Sequence, residues 1–311
     1  MKTFAATLLT TLIASSGFAQ TATGEGGLST PTGHEVSAAV SSYTYGEPGD
    51  QAISIHGAKF LADYTGTLSL NKTRRWFAQA DLRATLGNAS YNGWCSPFMI
   101  TPDSASPNGY ALDVGAASAC DETGDKDWYV EARALAGKDL IGQRWGWSPY
   151  SGLGLRHLSN GTTGVSGYRT DNYLYLPLGA TARTDMASRG TISLNAEFDL
   201  LIHGWQQTRD SELGGGDVPA TLDAPAFTVD GFTDVSFAQS KGWALRGSAK
   251  FPVTNRLSVE PYWVRWHVGS SPTNYETATF TVNGVTAQEQ LGVYEPRNFT
   301  NEFGVRLGFH F

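Results

Sequence analysis

The last eleven residues of the chain, NEFGVRLGFHF, alternate between apolar and other side chains. One set of positions holds Phe303, Val305, Leu307, Phe309 and Phe311, and the other set includes Gly, Arg and His. Successive side chains of a β-strand point to opposite faces, so this period of two predicts a strand with one apolar face.

The same alternation recurs along the chain and predicts ten strands. The segments are 35–46, 52–71, 75–90, 127–138, 148–160, 168–184, 190–207, 236–252, 256–269 and 301–311. In segment 256–269, Pro261 and the aromatic run YWVRWHV blur the two faces, and we expect a β-bulge there. Some connections are short, such as NKTR, MASRG and PVTNR, whereas others are long and rich in Gly, Pro, Ser, Thr and Asp. The long ones are 91–126, 208–235 and 270–300.

The polar face of each segment decides between two all-β architectures. A soluble sandwich normally buries its apolar face, whereas an outer-membrane barrel turns that face toward lipid and keeps polar side chains in the lumen. An even strand number, short periplasmic turns and long extracellular loops fit the second architecture. The sequence therefore predicts an antiparallel transmembrane β-barrel of about ten strands in the outer membrane of a Gram-negative bacterium. The terminal Phe311 resembles the C-terminal signature of such barrels, which implies recognition by the barrel assembly machinery.

The first residues are predicted to lie outside this fold. MKTFAATLLTTLIASSGFAQ has an early Lys, an apolar stretch and a small-x-Ala cleavage site, so residues 1–19 are interpreted as a secretory signal peptide. Residues 20–34 follow as an N-terminal periplasmic segment, and 35–311 form a single barrel domain. Cleavage removes one Lys and no acid, so the net charge goes from −7 to −8. An acidic chain without a Lys/Arg-rich run argues against nucleic-acid binding.

Charged residues fall on the predicted inward faces. They are Lys59, Asp63, Asp81, Arg83, Glu131, Arg133, Glu197, Asp199, Arg246, Lys250, Glu260 and Arg306. Acids and bases are mixed, and a buried unpaired charge is costly, so we expect ion pairs across the lumen. About eight strands already leave an interior that side chains can fill, so a wide diffusion pore is disfavoured.

Two cysteines, Cys95 and Cys120, flank a stretch rich in Pro, Ser, Asn and Gly. In an exported protein they are expected to form one disulfide that pins a long loop, the alternative being two free thiols. The aromatic residues of this region, such as Trp94 and Tyr110, offer a surface for sugars or a partner protein.

The stretch RHLSNG is the one candidate for nucleophilic chemistry. With Arg156 directed into the lumen, His157 and Ser159 lie on the outer wall near the outer leaflet. A hairpin with its tip near position 164 places Asn172 opposite His157, and Thr170 opposite Ser159. Ser, His and an orienting amide are the groups of a nucleophilic triad, in which Ser159 would attack an ester and His157 would accept its proton.

The motif His157-x-Ser159-Asn-Gly followed by Asn172 resembles that of outer-membrane phospholipase A, which implies a lipid esterase acting on outer-membrane lipids. Lipid A deacylases have a similar His-x-Ser-Asn with an acid on the next strand, which implies lipopolysaccharide as substrate. Asp171 could match that acid, but it would face the lumen. No cofactor or metal site is assigned, although the phospholipase resemblance implies calcium as an option.

A second resemblance spans most of the chain. Ten strands, the stretch AEFDLLIHGWQQTRDSE and the ending TNEFGVRLGFHF resemble the omptin barrel of outer-membrane proteases. Asp125 and Asp127 resemble the Asp pair of omptins, although they directly precede the fourth predicted strand instead of following the third. Where an Asp-x-His is expected, the chain has Asp210-Ser-Glu212, so the His of the omptin pattern is missing.

These observations give two classes of function. The favoured one is a surface-exposed binding or narrow-channel barrel, in which His157 and Ser159 are the polar end of a strand. The alternative is a serine-type lipid acyl hydrolase, with omptin-like proteolysis as the least favoured option. Substitution of Ser159 distinguishes the two classes, since only the activity of an esterase depends on the Ser159 hydroxyl.

Overall fold

Antiparallel β-strands build nearly the whole computed structural model, which describes residues 27–49, 52–71, 73, 75–161, 168–186, 190–213 and 215–311. The predicted signal peptide lies outside the described residues. The strands are β1 (Gly33–Glu47), β2 (Ile53–Asn71), β3 (Trp76–Cys95), β4 (Phe98–Pro102), β5 (Tyr110–Val114), β6 (Ser118–Lys138), β7 (Leu140–Ile141), β8 (Gly146–Asn160), β9 (Tyr168–Asp185), β10 (Thr191–Arg209), β11 (Gly216–Val218), β12 (Phe227–Phe232), β13 (Val235–Gln239), β14 (Gly242–Pro252), β15 (Leu257–Val268), β16 (Asn274–Val282), β17 (Val285–Val293) and β18 (Asn298–His310). A 3-10 helix at Asp210–Glu212 follows β10.

Ten of these strands close into a barrel. The order around it is β1, β2, β3, β6, β8, β9, β10, β14, β15 and β18, and β18 pairs back with β1 from Glu35↔His310 to Gly46↔Phe299. Each of the ten predicted segments corresponds to one of these strands. Strand β10 pairs with β14 along its lower part and with β13 beyond it. The prediction of a closed, all-β, ten-stranded antiparallel barrel is therefore confirmed.

The irregularity expected at Pro261 is absent. Pairing between β14 and β15 keeps one register on both sides of Pro261, and β15 pairs continuously with β18 from Leu257 to Val268. The bulge prediction was wrong because the outward Pro261 fits the regular register. A register shift occurs instead in β10, between Leu201 and His203.

The long connections fold into further sheets, which the alternation did not predict. Strands β4 and β5 form a hairpin, and β11, β12, β16 and β17 form a four-stranded antiparallel sheet. These six strands are called the cap. Strands β3 and β6 extend toward it as a long arm, and the predicted disulfide between Cys95 and Cys120 joins the two sides of that arm.

The outer wall of the barrel is apolar. Outward positions such as Leu153, Leu155 and Phe303 are more than half exposed, whereas the alternate positions are buried. Exposed aromatic rings occur toward both ends of the strands, with Trp147 near the short turns and Trp205 near the long connections. A closed barrel with an apolar band and aromatic girdles is the architecture of Gram-negative outer-membrane proteins. The short turns then face the periplasm and the cap faces the cell exterior.

Within the described part of the chain, no helix is long and apolar enough to cross a membrane.

Residues 27–32, called the N-terminal strap, reach across the periplasmic end of the barrel. Thr30 donates hydrogen bonds to Asp139 through its backbone N–H (3.1 Å) and its hydroxyl (2.6 Å). Asp139 follows β6 and also accepts from Ser148 of β8, a strand four places around the barrel from β1. A Cβ at Gly146 would lie 2.1 Å from the carbonyl oxygen of Leu28, so only glycine leaves room for the strap.

Candidate functional site

Ion pairs occupy the middle of the lumen. Arg246 of β14 lies between Asp199 (2.6 Å), Glu197 (3.1 Å) and Glu131 of β6. The phenol of Tyr175 donates a hydrogen bond to the same Glu131 carboxylate. These side chains are nearly fully buried, so the geometry of each pair is fixed by the strands that carry it.

Further pairs link this centre to the rest of the lumen. Arg133 lies 2.7 Å from both Asp81 and Glu197, so it connects β3 with β10 across the barrel. Arg83 and Arg306 both contact Asp63, at 2.8 Å and 2.6 Å. Further pairs in this region are Arg83 with Glu131 (3.6 Å), Arg306 with Glu260, and Lys250 with Glu35. The structure therefore brings together the inward charges that the alternation predicted.

Nearer the extracellular end, cations lie against aromatic rings. Lys59 binds Asp127 at 2.6 Å, and its ammonium lies 3.3 Å from the centre of the Tyr43 ring. The guanidinium of Arg156 stacks on Tyr129 at 4.0 Å. Such contacts stabilise a cation that is removed from water.

One further cluster lies at the top of the lumen. Arg169 of β9 bridges Glu47 of β1 and Glu295, with both distances 3.4 Å. Side chains thus fill the lumen from the N-terminal strap through the central ion pairs to this cluster. Ion pairs and buried side chains therefore occupy the lumen at each of these levels.

The predicted nucleophilic residues lie on the outer wall. Strands β8 and β9 pair His157 with Asn172 and Ser159 with Thr170, in the register expected from the position of the turn. Nδ1 of His157 and Oδ1 of Asn172 are 2.7 Å apart. Because a carbonyl oxygen accepts, Nδ1 carries the proton and Nε2 is left as an acceptor.

The Ser159 hydroxyl has a partner that the sequence did not indicate. Its Oγ donates to the phenolic oxygen of Tyr168 at 2.5 Å, and Ser159 is fully buried. Tyr168 begins β9 and shares the outer face with Asn172, which strand alternation alone could have shown. Asp171, the alternative acid, pairs with Leu158 and is buried on the inner face, so it lies on the other side of the wall from His157.

The residues of the omptin resemblance are engaged in other contacts. Asp127 is held inside the barrel by Lys59. Glu212 is exposed and pairs with Arg209 at 3.4 Å. Asp210 bonds to Glu276 of the cap. These contacts do not assemble the paired groups that a protease site would need.

The cap has its own hydrophobic core. Ile100 and Leu112 of the β4–β5 hairpin pack with Phe227, Phe280 and other residues of the four-stranded sheet. The sheet is tied to the barrel rim by hydrogen bonds, including Asn274 to the Ser236 carbonyl at 2.7 Å. A core of this kind gives the extracellular region a defined shape.

One carboxyl of the cap is strongly perturbed. Glu276 of β16 is buried, and burial together with the neighbouring Asp210 raises the pKa of Glu276 to about 7. A protonated Glu276 can share its proton with Asp210, which joins the sheet to the 3-10 helix at the barrel rim.

Among the described residues, no group of three or more His, Cys, Asp or Glu side chains is placed to hold a metal ion.

No protein-family model matches the chain, and no curated protein matches it. Among solved structures, an outer-membrane channel from Pseudomonas putida F1 is similar at 11% identity and a TM-score of 0.38, over 93% of this chain and 100% of that one. The transport unit of the Escherichia coli autotransporter AIDA-I aligns at 9% identity and 0.36, over 97% of each. The translocator domain of NalP from Neisseria meningitidis aligns at 12% and 0.33, over 91% of this chain and 90% of that one. Closure through β18 and β1 and the apolar outer wall establish the class directly: the chain is a ten-stranded outer-membrane β-barrel.

Proposed function

We propose that this protein is a surface-exposed binding barrel. The observation that carries the proposal is the combination of a lumen filled by buried ion pairs with an extracellular cap that has its own core. A filled lumen disfavours the narrow-channel option. An ordered cap on a rigid membrane anchor is suited to present a binding surface.

The charge of the extracellular connections favours a basic partner. Positions 91–126, 208–235 and 270–300 together contain 14 Asp or Glu and three Lys or Arg. Asp217, Asp223 and Asp230 are exposed among them. An acidic surface attracts basic ligands and speeds their encounter.

Exposed tyrosines add contact area to this surface. Tyr275 at the start of β16 is 64% exposed, and Tyr294 just after β17 is 58% exposed. Tyrosine is enriched in protein interfaces, and its ring attracts Lys and Arg side chains. Acidic groups beside these rings are suited to a Lys- or Arg-rich peptide.

The test uses the full-length protein in nanodiscs and a 20-residue Lys-rich peptide, with binding measured by calorimetry. We expect binding that weakens at least tenfold in Tyr275→Ala combined with Asp217→Asn and Asp223→Asn. The matched control is Tyr64→Ala, which removes a tyrosine near the periplasmic end. Equal binding by all three proteins, or no binding by the native protein at low salt, contradicts the basic-partner proposal.

The conductance of the native barrel in planar bilayers tests the channel option separately. A barrel closed by its ion pairs is expected to give no steady current. Stable unitary openings of the native protein would favour the channel over the binding barrel.

A lipid acyl hydrolase is the second candidate, and the bond between His157 and Asn172 favours it. The bond fixes the ring and leaves Nε2 as a base, while Ser159 lies two positions along the same strand face. For catalysis, the Ser159 hydroxyl would turn from Tyr168 toward His157, give its proton to Nε2 and attack an acyl ester of an outer-leaflet lipid. The lipid alcohol would leave with that proton, and water activated by His157 would then release the fatty acid from Ser159.

The esterase candidate is tested by fatty-acid release from phospholipid and from lipopolysaccharide, with and without calcium. An esterase loses all release in Ser159→Ala and keeps it in Thr170→Val, the residue paired with Ser159. Tyr168→Phe separates the roles further, because it frees the serine hydroxyl and should preserve hydrolysis. No release by the native protein, with folding verified by its heat-modifiable gel mobility, rejects this candidate.

A further inference from the structure

On one side of the outer wall, the strands themselves carry a single charged residue on their lipid-facing positions. Strands β14, β15, β18 and β1 are consecutive around the barrel, and their lumen-facing positions alternate with lipid-facing ones. Among the lipid-facing positions of these described strands, Arg265 is the only Lys, Arg, Asp or Glu. This side is called the Arg265 wall.

Arg265 is fixed between aromatic residues. It pairs with Leu245 on β14 and Asn301 on β18. One step toward the cell exterior, His267 lies beside Trp243, with ring centres 5.6 Å apart. One step toward the periplasm is Trp263, which is 37% exposed. Arg265 therefore lies within the extracellular aromatic girdle, at the level of lipid headgroups.

Among the described residues, the guanidinium of Arg265 has no anionic partner. Its contact is with the ring of Phe299, 5.4 Å from the ring centre, and it forms no ion pair with any described carboxylate. The inward cations Arg246, Arg133 and Arg306 all have carboxylate partners. At headgroup depth a lipid-facing cation is tolerated, and an anion from outside the chain is free to pair with it.

Two further cations extend this surface outward. Lys241 directly precedes β14 and Arg297 directly precedes β18, and both are exposed. The Lys241 carbonyl accepts a hydrogen bond from Gly269, which places Lys241 beside the end of β15, four positions beyond Arg265. Three cations thus lie along the upper part of one wall.

We propose that the Arg265 wall binds a phosphorylated lipid of the outer leaflet, with the lipid phosphate on the Arg265 guanidinium. A planar guanidinium binds phosphate through two parallel hydrogen bonds. Leu245, Trp263 and Phe303 lie around it as an apolar surface for acyl chains. The depth of Arg265 within the girdle suits a lipid and excludes a soluble protein partner. This site is separate from the cap and does not depend on the proposed binding function.

The experiment measures lipid retention by the refolded full-length protein in a neutral detergent, using native mass spectrometry. The probes are bis-phosphorylated lipid A and the same lipid A with both phosphates removed. We expect at least tenfold tighter binding of the phosphorylated form, and we expect Arg265→Gln to abolish this preference. Arg265→Lys should restore part of it, since the charge returns without the planar donor pair.

Arg256→Gln is the matched control, because Arg256 is exposed in the short turn between β14 and β15 at the periplasmic end. It should retain the full preference for phosphorylated lipid A. Heat-modifiable gel mobility verifies the fold of each variant. Retention of the preference in Arg265→Gln, or no preference in the native protein, overturns the proposal. Displacement of the lipid by millimolar inorganic phosphate would also overturn it, because the site would then be a simple anion site.

Discussion

Arg246 on β14 and Glu131 on β6 meet across the lumen, with Nη1 of the guanidinium 3.1 Å from Oε2 of the carboxylate. They are 115 positions apart in the chain. The same guanidinium also contacts Glu197 and Asp199, so one cation stabilises three buried carboxylates. Four barrel strands are cross-linked through this centre when Arg133 of β6 and Asp81 of β3 are included.

Arg246→Leu is expected to destabilise the barrel by about 3–5 kcal/mol. The substitution leaves Glu131, Glu197 and Asp199 buried with too little positive charge, and unpaired buried charges carry a large desolvation cost. Urea unfolding in lipid vesicles, followed by tryptophan fluorescence, measures the change.

The control for this prediction is an exposed ion pair. Arg209→Leu removes the partner of Glu212, whose side chain is 54% exposed. An exposed pair contributes at most about 1 kcal/mol, so little change is expected. Equal destabilisation by the two substitutions would show that the lumen pairs do not hold the barrel together.

A methyl group at Gly146 should displace the N-terminal strap. The Ala Cβ would lie 2.1 Å from the Leu28 carbonyl oxygen, so the strap must move and Thr30 is pulled from Asp139. We expect at least tenfold faster protease cleavage within residues 27–32 in Gly146→Ala, with the barrel still folded.

Gly247→Ala is the matched control for the strap, since the nearest atom to its added Cβ is 4.0 Å away. This variant should be cleaved at the native rate. If Gly146→Ala is also cleaved at the native rate, the strap does not close the periplasmic end of the barrel.

The alternation of apolar and polar residues was sufficient to predict the barrel strands, because lipid and lumen impose opposite chemistry on alternate residues. The same regularity correctly predicted that His157 lies opposite Asn172, since the turn position fixes the register of a hairpin. It also placed Asp171 on the inner face, where it is buried.

The cap could not be predicted in this way. Its strands are short, as in Gly216–Val218, and their apolar residues face a core made by chain segments far apart in sequence, such as Ile100 and Phe280. Local pattern cannot specify such contacts. The strap was missed for a similar reason, because the contact of Thr30 with Asp139 spans 109 positions.

Loss of the disulfide should loosen the arm and leave the barrel intact. The bond between Cys95 and Cys120 closes a separation of 25 residues in the chain above the membrane. A loop of this size is stabilised by about 3 kcal/mol on the chain-entropy estimate. Cys95→Ser with Cys120→Ser is expected to raise hydrogen exchange between positions 91 and 126 at least tenfold. The hydrogen-exchange protection of β14 and β15 should not change. Loss of protection in these strands would contradict a purely local role of the disulfide.

The stability of the cap should fall as the pH rises. Burial and Asp210 raise the pKa of Glu276 from 4.5 to about 7, so the folded cap keeps a proton that the unfolded segment releases. Below about pH 4.5 Glu276 is protonated in both the folded and the unfolded cap, so it does not reduce the free energy of unfolding. Between about pH 4.5 and 7 the free energy of unfolding of the cap falls, and above pH 7 the loss is complete. The loss is on the order of 2 kcal/mol, which is less than the full pKa shift would give because solvent screens part of the effect.

Glu276→Gln removes the titrating group and keeps the shape of the side chain, so it tests this pH window directly. We expect the variant to match the native cap at pH 4 and to be more stable at pH 8, as measured by hydrogen exchange of β16. Glu289→Gln on the neighbouring β17 is the control, and it should keep the native pH dependence. A native cap whose protection is the same at pH 4 and pH 8 would show that Glu276 and Asp210 do not share a proton there.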